Sequence, residues 1–118
     1  MESAAEQYVA QAFSDRVTVR RLPWSYGVES ALFHDDCLIC WAESMRVKAP
    51  IAALAAVRVN RRKYMRLLDL GRFSGKPGIV AVAWLDGVGI HVVDGLAGVD
   101  RGFAVLPSES FRGVACTR

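Results

Sequence analysis

The stretch that most constrains the fold is residues 29–45, ESALFHDDCLICWAESM. Two apolar runs, 31–33 and 37–42, flank the polar turn His34, Asp35 and Asp36, a pattern that predicts a β-hairpin. Each strand carries a glutamate at its end away from the turn, Glu29 on the first and Glu43 on the second. Those ends lie side by side in a hairpin, so the two carboxylates are expected to be neighbours. Two carboxylates held together by a buried hairpin suit a hard divalent cation, which prefers oxygen ligands.

At 118 residues the chain is expected to form one domain, with its core over residues 3–94 and a C-terminal tail over 95–118. A hydrophobic content of 53% and a mean hydropathy of +0.22 exclude a disordered chain. The longest nearly uncharged run, 49–57, is too short to span a bilayer. The N-terminus lacks the basic region of a secretory leader. A cytoplasmic protein without a membrane partner is therefore expected. Three cysteines, an odd number, argue against a disulfide framework. Cys37 and Cys40 are three apart, which on a regular strand places them on opposite faces and argues against a shared zinc ion.

Net charge is +3 and the pI about 9.0, but the distribution says more. Arg58, Arg61, Arg62, Lys63 and Arg66 fall within nine residues. Such a cluster suits a phosphate backbone, and its bland alternative is a solvated helix face.

Residues 3–13 predict a helix, with Ala5, Tyr8, Val9, Ala12 and Phe13 on one buried face and Ser3 and Glu6 forming a capping box. Residues 17–22 predict a short strand, and 23–27 a turn into the hairpin. Residues 51–59 are compatible with helix or strand. Asn60 is a suitable N-cap for a second helix over 61–73, with Tyr64, Leu67, Leu68 and Gly71 as its buried stripe. Residues 78–85 are almost wholly apolar, as for a strand buried on both faces. Asp86 and Gly87 predict a hairpin turn into a strand over 88–93, and a further short strand is expected at 103–106. This order fits the α/β (α+β) class: a single mixed β-sheet flanked by helices. Neither His34 nor His91 has the spacing of a catalytic triad, and no phosphate-cradling glycine loop is present. Trp24, Trp41 and Trp84 are candidates for base stacking or, more ordinarily, for core and rim packing.

Over roughly residues 6–94 the chain resembles the PD-(D/E)XK, or restriction-endonuclease-like, nucleases, in particular the small phage-type members. Glu29 stands where that family has the acidic residue opening one hairpin strand. Glu43 stands at the acidic position of the following (D/E)-x-K tripeptide. Lys63-Tyr64, then Ser74 to Pro77, the apolar strand and Trp84 to Gly87 match the downstream part. The resemblance implies a restriction-endonuclease-like core and a Mg²⁺- or Mn²⁺-dependent endonuclease acting on DNA. It implies metal binding by Glu29 and Glu43 with Glu6 as an auxiliary ligand, and phosphate contacts from Arg46, Arg61, Arg62 and Lys63. It also implies a cell of bacterial or phage-infected type, and often a homodimer. Residues two apart on a strand share a face, so motif carboxylate and motif lysine would enter one cleft.

Met45 occupies the lysine position, and a thioether carries no charge and donates no hydrogen bond. Three alternatives follow. Lys48 or Lys63 supplies the missing charge; or catalysis has been lost, leaving a non-enzymatic phage-type protein that engages a host protein or nucleic acid; or Glu29 and Glu43 are ordinary solvent-facing strand ends.

Overall fold

The computed structural model describes residues 17–112. The helix expected over 3–13, including Glu6, lies outside them. In chain order the elements are β1 (Val17–Arg21), a 3-10 turn (Trp24–Tyr26), β2 (Ser30–His34), β3 (Cys37–Arg46), a 3-10 turn (Ile51–Ala53) and β4 (Ala56–Asn60). There follow α1 (Arg61–Ser74), β5 (Gly78–Trp84), β6 (Gly87–Val93), β7 (Gly98–Asp100), β8 (Phe103–Pro107) and a last 3-10 turn (Ser108–Ser110). No described helix is long and apolar enough to cross a membrane.

The predicted hairpin is β2 and β3. Its turn is Asp35 and Asp36 alone, with φ of 49° and 66°. Positive φ at both central positions matches the twist of the flanking strands, and aspartate tolerates it better than most residues. β1 extends the hairpin on one side and β6 closes the other edge, giving the strand order β1-β2-β3-β5-β6. Among the described strands of this sheet only β3 and β5 are parallel neighbours, with Glu43 opposite Val80. Parallel neighbours need a long crossover. Here the crossover carries β4 and α1, and this connection lays the basic helix against the strand that bears Glu43.

Asn60 ends β4 and caps α1, its side chain accepting from the amides of Arg62 at 2.9 Å and Lys63 at 3.3 Å. Gly75, with φ of 75°, terminates the helix through its N–H to the Gly71 carbonyl at 2.9 Å. Tyr64, Leu67 and Leu68 are buried as expected, with Leu70 where Gly71 was expected. They pack on Val80, Val82 and Trp84 from one face of the sheet. Leu32, Cys40, Ala42, Ile79 and Ala81 form a second cluster. Adjacent β5 residues thus enter different clusters, and every residue of the strand is buried.

Two expectations need amendment. The 51–59 ambiguity resolves into a 3-10 turn followed by β4. The region expected to be a tail holds β7 and β8, which join β4 in a second antiparallel sheet ordered β4-β8-β7. The predicted strand at 103–106 is therefore present, and it is the central strand of that sheet.

The cysteine reasoning also changes. Leu32 pairs with Cys40 but Phe33 with Leu38, so Ile39 is an extra residue and the alternation shifts there. Parity therefore does not separate Cys37 from Cys40; burial does. Cys37 is exposed near the turn, whereas burial pushes the Cys40 thiol up to about 12, which makes it unreactive.

The contact between α1 and the sheet is close enough to be tested. A Cβ on Gly78 would lie 2.8 Å from the Leu67 Cβ and 2.9 Å from its carbonyl oxygen. Gly78→Ala must push helix from sheet, and overpacking of this kind destabilises by roughly 1–3 kcal/mol. Thermal denaturation should show a melting temperature lower by several degrees. An unchanged value would mean that the helix is not seated as described.

Candidate active site

Glu43 and Glu29 meet as the hairpin predicted. Ser30 pairs with Ala42, which puts Glu29, the residue before β2, beside Glu43 on β3. The carbonyl of Glu29 accepts from Leu22 N–H at 2.9 Å, closing the base of the preceding loop. The Glu29 carboxylate accepts from the Ser44 amide at 3.2 Å and from the Ser44 hydroxyl. Glu29 is half-buried and Glu43 only 5% exposed. A glutamate this deeply placed is not a solvent-facing strand end.

Burial raises the Glu43 carboxyl above the usual range, and the neighbouring Glu29 charge adds to that rise. Lys63 and a hydrogen bond from the Glu29 backbone amide oppose it. Lys63 approaches from the first turn of α1, its Nζ 3.5 Å from the Glu43 carboxylate. The carboxylate is buried, whereas the lysine side chain is 56% exposed. The ammonium therefore stands on the solvent side of the buried carboxylate.

Met45 lies two residues beyond Glu43 and is half-buried, packed against the core under α1. One hollow is lined by Glu43, Met45, Arg58, Asn60 and Lys63 among others. A neighbouring one is lined by Arg21, Trp24, Glu29, Glu43 and Lys63. Lys48 lines neither. It is exposed, beyond the end of β3. Of the two candidate lysines, the fold brings Lys63 to the carboxylates.

Arg46 is exposed at the end of β3. Arg61 and Arg62 are exposed on the first turn of α1, along a shallow surface that also includes Arg66. The Arg61 amide donates to the Gly102 carbonyl at 3.1 Å, tying the helix start to the β7–β8 turn. Arg66 has a separate task, donating from Nε to the Tyr26 carbonyl at 2.6 Å. Composition had marked Arg66 as one of a basic cluster, and nothing in the spacing assigned it to the loop before β2.

A divalent cation fits the donor set in kind, since two adjacent carboxylates, one of them buried, need positive charge. Among the described residues no third His, Cys, Asp or Glu completes a metal-binding cluster, and Glu6 lies outside them. The residues that could hold such an ion are thus Glu29 and Glu43, and Mg²⁺, which keeps several waters, would tolerate so few protein ligands.

No protein-family model matches the chain, and no curated protein matches it. Among solved structures, it is similar to Hjc of Archaeoglobus fulgidus, a Holliday junction resolvase from an archaeal hyperthermophile. The TM-score is 0.63 at 10% sequence identity, and the match covers 90% of this chain and 86% of the resolvase. At that identity the likeness is one of architecture. The chain has a restriction-endonuclease-like fold: a mixed central sheet whose β2–β3 hairpin places Glu29 beside Glu43.

Proposed function

We propose that this chain is a divalent-metal-dependent endonuclease acting on DNA phosphodiesters, with Lys63 in the role that Met45 cannot fill. The observation that carries the proposal is the Lys63 ammonium 3.5 Å from the buried Glu43 carboxylate. A buried glutamate beside a half-buried one, with a cation from another element, is a charge arrangement suited to a phosphate and a metal ion together. Glu29 and Glu43 would hold Mg²⁺ or Mn²⁺, which would polarise the scissile phosphate and lower the pKa of bound water. Lys63 offsets negative charge developing on the phosphate. Ser44 holds one oxygen of Glu29, which fixes the direction of its carboxylate. Arg46, Arg61 and Arg62 bind backbone phosphates and set the position of the strand, which makes affinity salt-dependent. The fold shared with a Holliday junction resolvase supports DNA as the polymer.

The test is incubation of the purified protein with duplex and branched DNA in Mg²⁺ or Mn²⁺, with chelator controls. Cleavage that requires the ion and disappears with chelator is expected. Absence of cleavage with either ion, together with no metal-induced rise in melting temperature, would overturn the assignment and leave the binding-protein alternative.

A further inference from the structure

The three tryptophans occupy different environments. Trp84 is buried in the core, and Trp41 is half-buried with its Nε1 donating to the Ser74 hydroxyl at 2.9 Å. Trp24 is 93% exposed. Single exposed apolar residues are common and by themselves mean little. Trp24 differs in two respects. It lines the same hollow as Glu29, Glu43 and Lys63. It also sits in a turn that is held from several directions.

That turn is fastened at its base by the Leu22 amide to the Glu29 carbonyl at 2.9 Å. Within it, the Tyr26 and Gly27 amides donate to the Pro23 and Trp24 carbonyls, each at 3.0 Å. Arg66 holds the Tyr26 carbonyl from α1, and the Tyr26 ring packs on Trp41 with centroids 6.4 Å apart. Gly27, at φ of 77°, lies so close to Arg66 that a Cβ there would come within 3.0 Å of its Cγ. The helix that delivers Lys63 thus also fixes the turn that presents Trp24. The indole is open to solvent while its backbone is ordered in advance, an arrangement that lowers the entropic cost of stacking on a ligand.

We propose that Trp24 is a stacking platform for an unpaired nucleobase of the strand whose phosphate lies at Glu29, Glu43 and Lys63. The substrate class is then DNA with bases out of the duplex near the cut: a gap, a bulge or a branch. In intact duplex a base face is already covered by its neighbours, so an indole beside the backbone has nothing to stack on. An unpaired base offers that face, and stacking accepts any base. The inference rests on the nuclease assignment for the phosphate site, but it concerns binding and is measured without cleavage.

The experiment compares wild type, Trp24→Ala and Trp24→Phe in chelator, by fluorescence anisotropy on a labelled duplex and on the same duplex with a short single-stranded gap. Trp24→Ala should weaken binding to gapped DNA about 5- to 100-fold, the usual effect of deleting one base-stacking aromatic. Trp24→Phe should retain most of the affinity, and all three proteins should bind intact duplex alike. In wild type, gapped DNA should also shield tryptophan fluorescence from acrylamide. Equal losses on both DNAs, no loss in Trp24→Ala, or a phenylalanine variant as weak as alanine would overturn the proposal. Cleavage in Mg²⁺ separates the two claims. Metal-dependent cutting with no Trp24 effect on gapped DNA sinks the stacking role alone, whereas a Trp24 effect with no cutting in either ion and no metal-induced rise in melting temperature supports stacking and sinks the nuclease assignment. Wild type that neither binds either DNA in chelator nor cuts it in Mg²⁺ or Mn²⁺ sinks both.

Discussion

Glu43→Gln is expected to lower metal-dependent cleavage by at least about 10²–10³-fold while making the metal-free protein more stable at neutral pH. The two effects share a cause. Glu43 is buried beside another carboxylate, and its carboxyl is raised by desolvation first and by Glu29 second. A raised carboxyl in the folded state means that folding is penalised wherever Glu43 must be ionised. That penalty is complete above the folded-state pKa and fades as pH falls through it towards the unfolded value. Between those two values the native state binds more protons than the unfolded chain, so stability falls as pH rises. Glutamine removes the charge and keeps the shape. Lys63, more than half exposed, can turn its ammonium to water. Thermal melts should show the variant ahead by roughly 0.5–2 kcal/mol at neutral pH, the gap closing as the buffer is acidified. Mg²⁺ should raise the melting temperature of wild type by binding only the native state, and should leave the variant nearly unmoved. A variant less stable than wild type at every pH would mean that the Lys63–Glu43 pair stabilises the fold, and a variant that cleaves normally would remove Glu43 from the site.

Which parts of this site could be read in the sequence follows from the range of the contacts. The neighbouring glutamates depend on a local hairpin, and the alternation around His34, Asp35 and Asp36 was enough to place them. The α1 cap at Asn60 and the buried β5 are likewise written in short-range pattern. The choice between Lys48 and Lys63 was not legible, because it depends on β5 running parallel to β3 and on where the crossover sets α1 down. The extra residue Ile39 left no mark in composition, and the alternation argument for Cys37 and Cys40 failed there. The second sheet pairs β4 with β8, with Ala56 opposite Pro107. A run such as residues 103–106 can be recognised as a strand while its partner stays unknown. Trp24 was one of three equivalent tryptophans until tertiary contacts buried Trp84, engaged Trp41 and left Trp24 in solvent.

Exchanging the residues at positions 45 and 63 should lose and then recover activity. Lys63→Met removes the only side-chain cation placed on Glu43 by the described contacts. It is expected to lower kcat by about 10²–10³-fold, the scale for deleting one charged transition-state stabiliser. KM for DNA should change little, since the phosphate contacts proposed for Arg46, Arg61 and Arg62 would remain. Those arginines give the contrast: alanine at either Arg61 or Arg62 should weaken binding and reduce its salt dependence by about one phosphate contact without comparable loss of kcat. Into the Lys63→Met background, Met45→Lys then returns an ammonium two residues from Glu43, on the same strand face. Met45 is only half-buried, so the lysine stem can occupy the space of the thioether while its ammonium reaches the cleft. The double variant should regain at least about tenfold of the lost rate, because a charge of the same sign again faces the phosphate. Recovery would show that the charge, and not its place in the sequence, is what the site requires. Wild-type activity in Lys63→Met, or a double variant as inactive as the single one with both proteins folded, would remove Lys63 from the mechanism.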